Sequence, residues 1–127
     1  MKLFSFCLSL ALGLFFNLVF SGVARAQVAG DRVLARWAPD GLFYPAKVQL
    51  VDRLGLHVAY DDGDLAVVQK ADIRRVDWRV GTSLECNWHN KGSYFAGKIS
   101  AMRGEVIDVR YADGDAEQMT ISRCRSR

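Results

Sequence analysis

The chain repeats itself. Gly30-Asp31-Arg32-Val33-Leu34-Ala35-Arg36-Trp37 returns 51 residues later as Gly81-Thr82-Ser83-Leu84-Glu85-Cys86-Asn87-Trp88. Without a gap, the same offset pairs Gly41 with Gly92, Lys47 with Lys98, Val48 with Ile99, Val58 with Val109 and Tyr60 with Tyr111. It carries Asp62-Gly63-Asp64 onto Asp113-Gly114-Asp115, and Arg74 onto Arg125. Such a match makes the chain two copies of one unit of about 45 residues, too small to bury a large core alone. Trp78 and Val80 lie in the short join between them.

Each copy reads as short strands between turns. In the first, Arg32–Trp37 alternates with Val33, Ala35 and Trp37 on one face. Phe43–Leu50 follows, with Tyr44, Ala46, Val48 and Leu50 together, then Gly55–Asp61 with Leu56, Val58 and Tyr60 together. Leu65–Gln69 and Ile73–Arg75 complete the unit, and Asp40-Gly41 and Asp62-Gly63 are turn signals. No stretch keeps a helical period. Five short strands bury their inner faces by curling into a small barrel, which also removes open edges. The expected organisation is all-β: one barrel over residues 27–76 and a second over 81–127.

Residues 1–26 read as a secretory signal peptide. Lys2 opens the chain, Leu3–Phe20 is apolar apart from Ser5, Ser9 and Asn17, and Ala24-Arg25-Ala26 offers small residues at a cleavage site. An uncleaved membrane anchor would not need that box. The expectation is export to a periplasmic or extracellular space, with no stable membrane insertion after cleavage. Cleavage would remove Lys2 and Arg25 and no acid. The 17 basic residues fall to 15 against 14 acidic ones, a net charge of +1. That near-neutral balance argues against a broad polyanion-binding surface and makes nucleic acid an improbable partner. Arg123, Arg125 and Arg127 read as a solvated tail. Cys86 and Cys124 remain after cleavage; in an oxidising compartment they would form a disulfide or stay as two buried thiols, and spacing does not choose between these.

Trp37, Tyr44 and Tyr60 share the core-facing parity of their strands and sit at strand ends beside turns, so they should gather at one mouth of the barrel. Trp88, Phe95 and Tyr111 repeat the arrangement, and Asp62 and Asp113 follow the tyrosines by two residues. Aromatic faces attract cations, above all methylated ammonium or guanidinium groups, and a rim carboxylate adds charge and accepts a remaining N–H. The same rings could equally cap a small core.

Taken as a pattern, residues 33–37 (Val-Leu-Ala-Arg-Trp), Asp40-Gly41, residues 43–48 (Phe-Tyr-Pro-Ala-Lys-Val), residues 58–64 (Val-Ala-Tyr-Asp-Asp-Gly-Asp) and Ala71-Asp72-Ile73-Arg74 resemble a Tudor domain. Gly81–Arg125 resembles a second, and the related agenet and chromo-type barrels share much of the pattern. The resemblance implies two SH3-like, Tudor-type barrels in tandem. It implies a ligand-binding cage of Trp37, Tyr44, Tyr60 and Asp62 and another of Trp88, Phe95, Tyr111 and Asp113, taking a protein or peptide ligand that carries a methylated side chain. The sequence departs from the pattern where several members have a further aromatic after the turn glycine: here stand Asp64 and Asp115, so each cage would be three-walled and more acidic. Ala96, not proline, follows Phe95.

No arrangement for catalysis emerges. His57 and His89 occupy non-equivalent places in the two copies, and no cysteine pair has zinc spacing. Ser83, Ser93 and Ser100 have no arranged base. The acidic run 61–64 lacks the closing glutamate of a calcium loop. The reading is therefore a non-enzymatic binding module without cofactor or metal. A structural or interaction protein, with the rings as core and Trp78 filling an interface, is the alternative, and a nucleic-acid-binding protein a weaker one.

Overall fold

A computed structural model describes residues 26–127; the expected signal sequence, apart from Ala26, lies outside the described residues. The ten strands are β1 (Arg32–Trp37), β2 (Leu42–Asp52), β3 (Gly55–Tyr60), β4 (Leu65–Val68), β5 (Ile73–Arg75), β6 (Ser83–Asn87), β7 (Tyr94–Arg103), β8 (Val106–Tyr111), β9 (Ala116–Thr120) and β10 (Cys124–Arg125). They form two five-stranded antiparallel sheets, ordered β4-β3-β2-β1-β5 and β9-β8-β7-β6-β10, so the repeat in sequence is also a repeat in topology. Single 3₁₀ turns at Lys70–Asp72 and Ile121–Arg123 carry β4 into β5 and β9 into β10.

The long second strand of each unit explains the curl. The first half of β2 pairs with β1 (Val33 opposite Ala46, Ala35 opposite Tyr44) and its second half with β3 (Val48 opposite Val58, Val51 opposite Leu56). Between Val48 and Leu50 the register slips, and the same slip recurs between Ile99 and Ala101. A bulge bends a strand and reverses which face the following residues occupy. Leu50 therefore leaves the core face that simple alternation assigns to it and stands 50% exposed. The inner faces otherwise follow alternation: Val33, Ala35, Ala46, Val48, Leu56, Val58 and Val68 form the first core.

β1 departs from alternation in a second way. Leu34 points away from the first core yet is fully buried. With Phe43 and Trp78 it joins the cluster of Leu84, Ile99, Ile107 and Ile121 in the second barrel. The barrels thus share an apolar join. Burying a large apolar side chain contributes roughly 1.5–3 kcal/mol, so these three residues offset much of the entropy lost in ordering the linker between β5 and β6. A two-bond bridge between Phe43 and Ser126 fastens the join (Phe43 N–H to Ser126 O, 2.8 Å; Ser126 N–H to Phe43 O, 3.0 Å), and the Trp78 indole donates to Ser126 Oγ at 3.2 Å.

Arg127 is exposed as its sequence suggests, but Arg123 and Arg125 are not solvated. Arg125 pairs with Glu85 at 2.9 Å, Arg123 with Glu117, and Arg74 donates to Ser126 Oγ at 3.0 Å. Cys86 and Cys124 stand directly opposite each other on β6 and β10 and are disulfide-bonded. The equivalent pair in the first barrel is Ala35 opposite Ile73.

Candidate functional site

Across the ladder, each inward tyrosine or phenylalanine of the mouths faces a small residue. Tyr44 stands opposite Ala35 and Tyr60 opposite Ala46; Phe95 stands opposite Cys86 and Tyr111 opposite Gly97. Small partners leave room for large rings to lean over the barrel end. Trp37 closes β1, while Trp88 falls just past β6 in a 3₁₀ turn.

In the first barrel the rings form a corner. Trp37 meets Tyr60 edge-on at 5.3 Å between centroids and 84°, and Tyr44 meets Tyr60 at 6.3 Å and 89°. Together with Asp62, Asp64 and Tyr94 they line a cleft of about 140 Å³. Tyr60 is its floor: it is 5% exposed and its phenol donates to the Arg36 carbonyl at 2.9 Å. Burial pushes the Tyr60 pKa up to about 12, helped by the negative charges of Asp40, Asp62, Asp72 and Asp64, so the floor lies in a negative potential. Tyr44 forms the side wall. It donates to Asp40, and burial together with that bond raises its pKa to about 12.

In the second barrel Trp88, Phe95, Ala96, Tyr111, Ala112 and Asp113 line a larger cleft of about 380 Å³. Trp88 and Phe95 meet at 6.1 Å and 84°. Tyr111 is the buried floor; its phenol donates to Glu117 at 2.9 Å. Its pKa is raised, by burial first and then by Glu117. Phe95 is 50% exposed, an open wall rather than core.

Every residue proposed from the sequence thus lines one of two mouths, but the carboxylates differ from expectation. Asp62 and Asp113 each give one oxygen to the turn they begin, accepting the N–H of Asp64 and Asp115 at 2.9 Å. Asp115 is not among the residues that line the second cleft. It accepts the Trp88 indole N–H at 2.8 Å, which holds its carboxyl below the usual range, and His89 Nε2 lies 3.6 Å away. No such bond ties Trp37 to Asp64, which lines the first cleft. Lys91 Nζ lies 5.8 Å from the Trp88 ring centroid, so the chain sets a cation of its own beside that indole. Asp40 replaces Lys91 at the equivalent place in the first copy.

This pair of linked barrels has solved counterparts. The crystal structure of the Crb2 tandem tudor domains superposes with a TM-score of 0.56, covering 83% of each chain at 13% identity. The fold is that of tandem Tudor domains. The ADCP1 tandem Agenet domains 3–4 match at 15% identity over 79% of each chain, with a TM-score of 0.37, too loose a fit to add to this. No family model and no curated protein matches the sequence. In these Tudor-like barrels, among the described residues, no group of three or more His, Cys, Asp or Glu is placed to hold a metal ion.

Sequence reasoning missed Tyr94, which belongs to the second barrel and reaches the cleft of the first. A signal was present: Phe43-Tyr44 and Tyr94-Phe95 are aromatic pairs, and adjacent strand residues point to opposite faces, so one ring of each must face outward.

Proposed function

We propose that the protein is a non-enzymatic binding module whose first cleft takes a cationic side chain, a methylated lysine or arginine, from a protein partner. The observation that carries this is the corner of Trp37, Tyr44 and Tyr60 with Asp62 and Asp64 at its rim. Near-orthogonal rings present several negative faces to one point, and the carboxylates add the charge that a purely apolar pocket lacks. The resemblance of the sequence to Tudor domains supports the same ligand class. The second cleft is the weaker cation site, because Asp113 is the one carboxylate in its lining where the first cleft has Asp62 and Asp64, and because Lys91 stands beside Trp88. The apolar run and Ala-Arg-Ala box of residues 1–26 support export, so the partner is sought in the periplasm or outside the cell.

Titration with lysine and arginine peptides, each unmodified and methylated, tests the reading. Methylated peptides should bind at least about tenfold more tightly than unmodified ones, a difference of roughly 1.4 kcal/mol. Trp37→Ala should abolish that preference, and Trp88→Ala should leave most of it. Equal affinity for modified and unmodified peptides would sink the reading. A structural role is the second reading, favoured by Trp78 buried in the join and by the two buried phenols. It requires Trp37→Ala to destabilise the fold by about 3–5 kcal/mol, as a core tryptophan would.

A further inference from the structure

The two clefts differ in what builds them. The second is lined by its own barrel alone, whereas the first includes Tyr94 of the other barrel. Tyr94 opens β7 opposite Asn87, one residue before the cleft-facing Phe95, so it faces out of its own barrel. Its equivalent in the first copy is Phe43, which faces out in the same sense and is buried in the join.

Each outward ring is covered by an equivalent arginine. Arg74 lies 4.0 Å above the Phe43 centroid and Arg125 lies 4.0 Å above that of Tyr94. The repeated pair has two fates. In the first copy it closes the join; in the second it stands at the edge of a cleft. Arg125 also donates to the Tyr44 hydroxyl at 3.0 Å, so one guanidinium bridges a wall of the first barrel and a ring of the second. Its charge is met by Glu85 at 2.9 Å and Asp40 at 3.9 Å, which leaves the cleft itself under the influence of Asp62 and Asp64.

We propose that the first cleft is a two-barrel site. Tyr94 is its fourth aromatic wall, and Arg125 is a positioning residue that fixes that ring against Tyr44. The inference rests on the cation-binding reading above and adds that neither barrel alone offers the complete site. Tyr94 stands in for the wall that is absent where Asp64 follows the turn glycine.

The three tryptophans make a direct test, because one lies in each cleft and Trp78 lies in the join. The protein, with ¹⁵N-labelled indoles, is titrated with acetyl-dimethyllysine methylamide, and affinity is read separately at Trp37 and Trp88. Tyr94→Leu, which keeps bulk but removes the aromatic face, should weaken binding at Trp37 about three- to tenfold and leave Trp88 unchanged. Tyr94→Phe should bind within about twofold of the parent, since it keeps the ring. Arg125→Ala should weaken the Trp37 site, and combining it with Tyr94→Leu should add little, because it acts through that ring. An unmoved Trp78 resonance shows that the join is intact. Parental affinity at Trp37 in Tyr94→Leu overturns the two-barrel site while leaving the cation reading standing. No response at Trp37 in the parent protein removes both.

Discussion

Tyr60 and Tyr111 are sealed beneath their clefts while Phe95 stands half in water, and the difference follows from what each ring meets. Both tyrosines keep their hydroxyls satisfied below the surface, on the Arg36 carbonyl and on Glu117. Phe95 takes the place of Tyr44, whose hydroxyl is held by Asp40 and Arg125; it has no hydroxyl for such bonds, and its cleft is lined by its own barrel alone. The residues opposite the tyrosines matter equally. A methyl group added at Gly97 would stand 2.8 Å from a Val109 methyl and 2.9 Å from the Arg110 carbonyl oxygen. The carbonyl belongs to the ladder and has little room to move. Gly97→Ala should therefore lower stability by about 1–3 kcal/mol by overpacking, read as a lower midpoint in urea with an unchanged slope. Ala46, at the equivalent place in the first barrel, accommodates its methyl and is fully buried.

At the scale of the element, β10 is the most dependent strand in the molecule. It has two residues, against three in β5, and its register on β6 consists of Cys124 opposite Cys86 and Arg125 opposite Glu85. So short a strand has few ladder bonds of its own, and the disulfide supplies the tether that Ile73 against Ala35 provides in the first barrel. Closing a loop with a sequence separation of 38 is worth roughly 4 kcal/mol in the chain-entropy account. A Cys86→Ala, Cys124→Ala double variant should accordingly lose about 3–4 kcal/mol in denaturant unfolding. Reductant should have the same effect on the parent and none on the variant. Parent and variant unfolding alike in the absence of reductant would remove the tether from the account.

For the whole molecule, the apolar join has a charged strap on another side. Arg32 of the first barrel pairs with Asp61 of its own turn and, at 2.9 Å, with Glu105 of the second barrel, and Ser122 of the second barrel donates to Asp61. Burial works against the Asp61 charge, but Arg32 and Ser122 outweigh it and hold the carboxyl below its usual range. A depressed carboxyl binds protons less readily in the folded than in the unfolded chain. Its stabilisation is thus full above the unfolded pKa near 4 and is lost as pH falls through the folded value. Asp61→Asn should lower stability at neutral pH by roughly 1.5–3 kcal/mol and flatten the decline below about pH 4. Unfolding free energies measured from pH 7 to pH 2.5 check both, and an unchanged acid slope would show that other carboxylates control it.

The sequence by itself determined the duplication, the strands, the Asp-Gly turns and the three rings at each mouth, because alternation and turn chemistry are local properties of neighbouring residues. Parity can say only that Leu34, Phe43 and Tyr94 face outward; whether that means water, a second barrel or a shared cleft is decided by how the barrels dock. The same holds for Arg123 and Arg125 of the tail, which alternate like exposed charges until Glu117, Glu85, the Tyr44 hydroxyl and the Tyr94 ring give them partners. Tertiary structure also chose between disulfide and buried thiols, since only the pairing of β6 with β10 brings the two Cβ atoms together. The bulges after Val48 and Ile99 belong with these, because a one-residue slip depends on the partner strand and leaves no local mark in the chain.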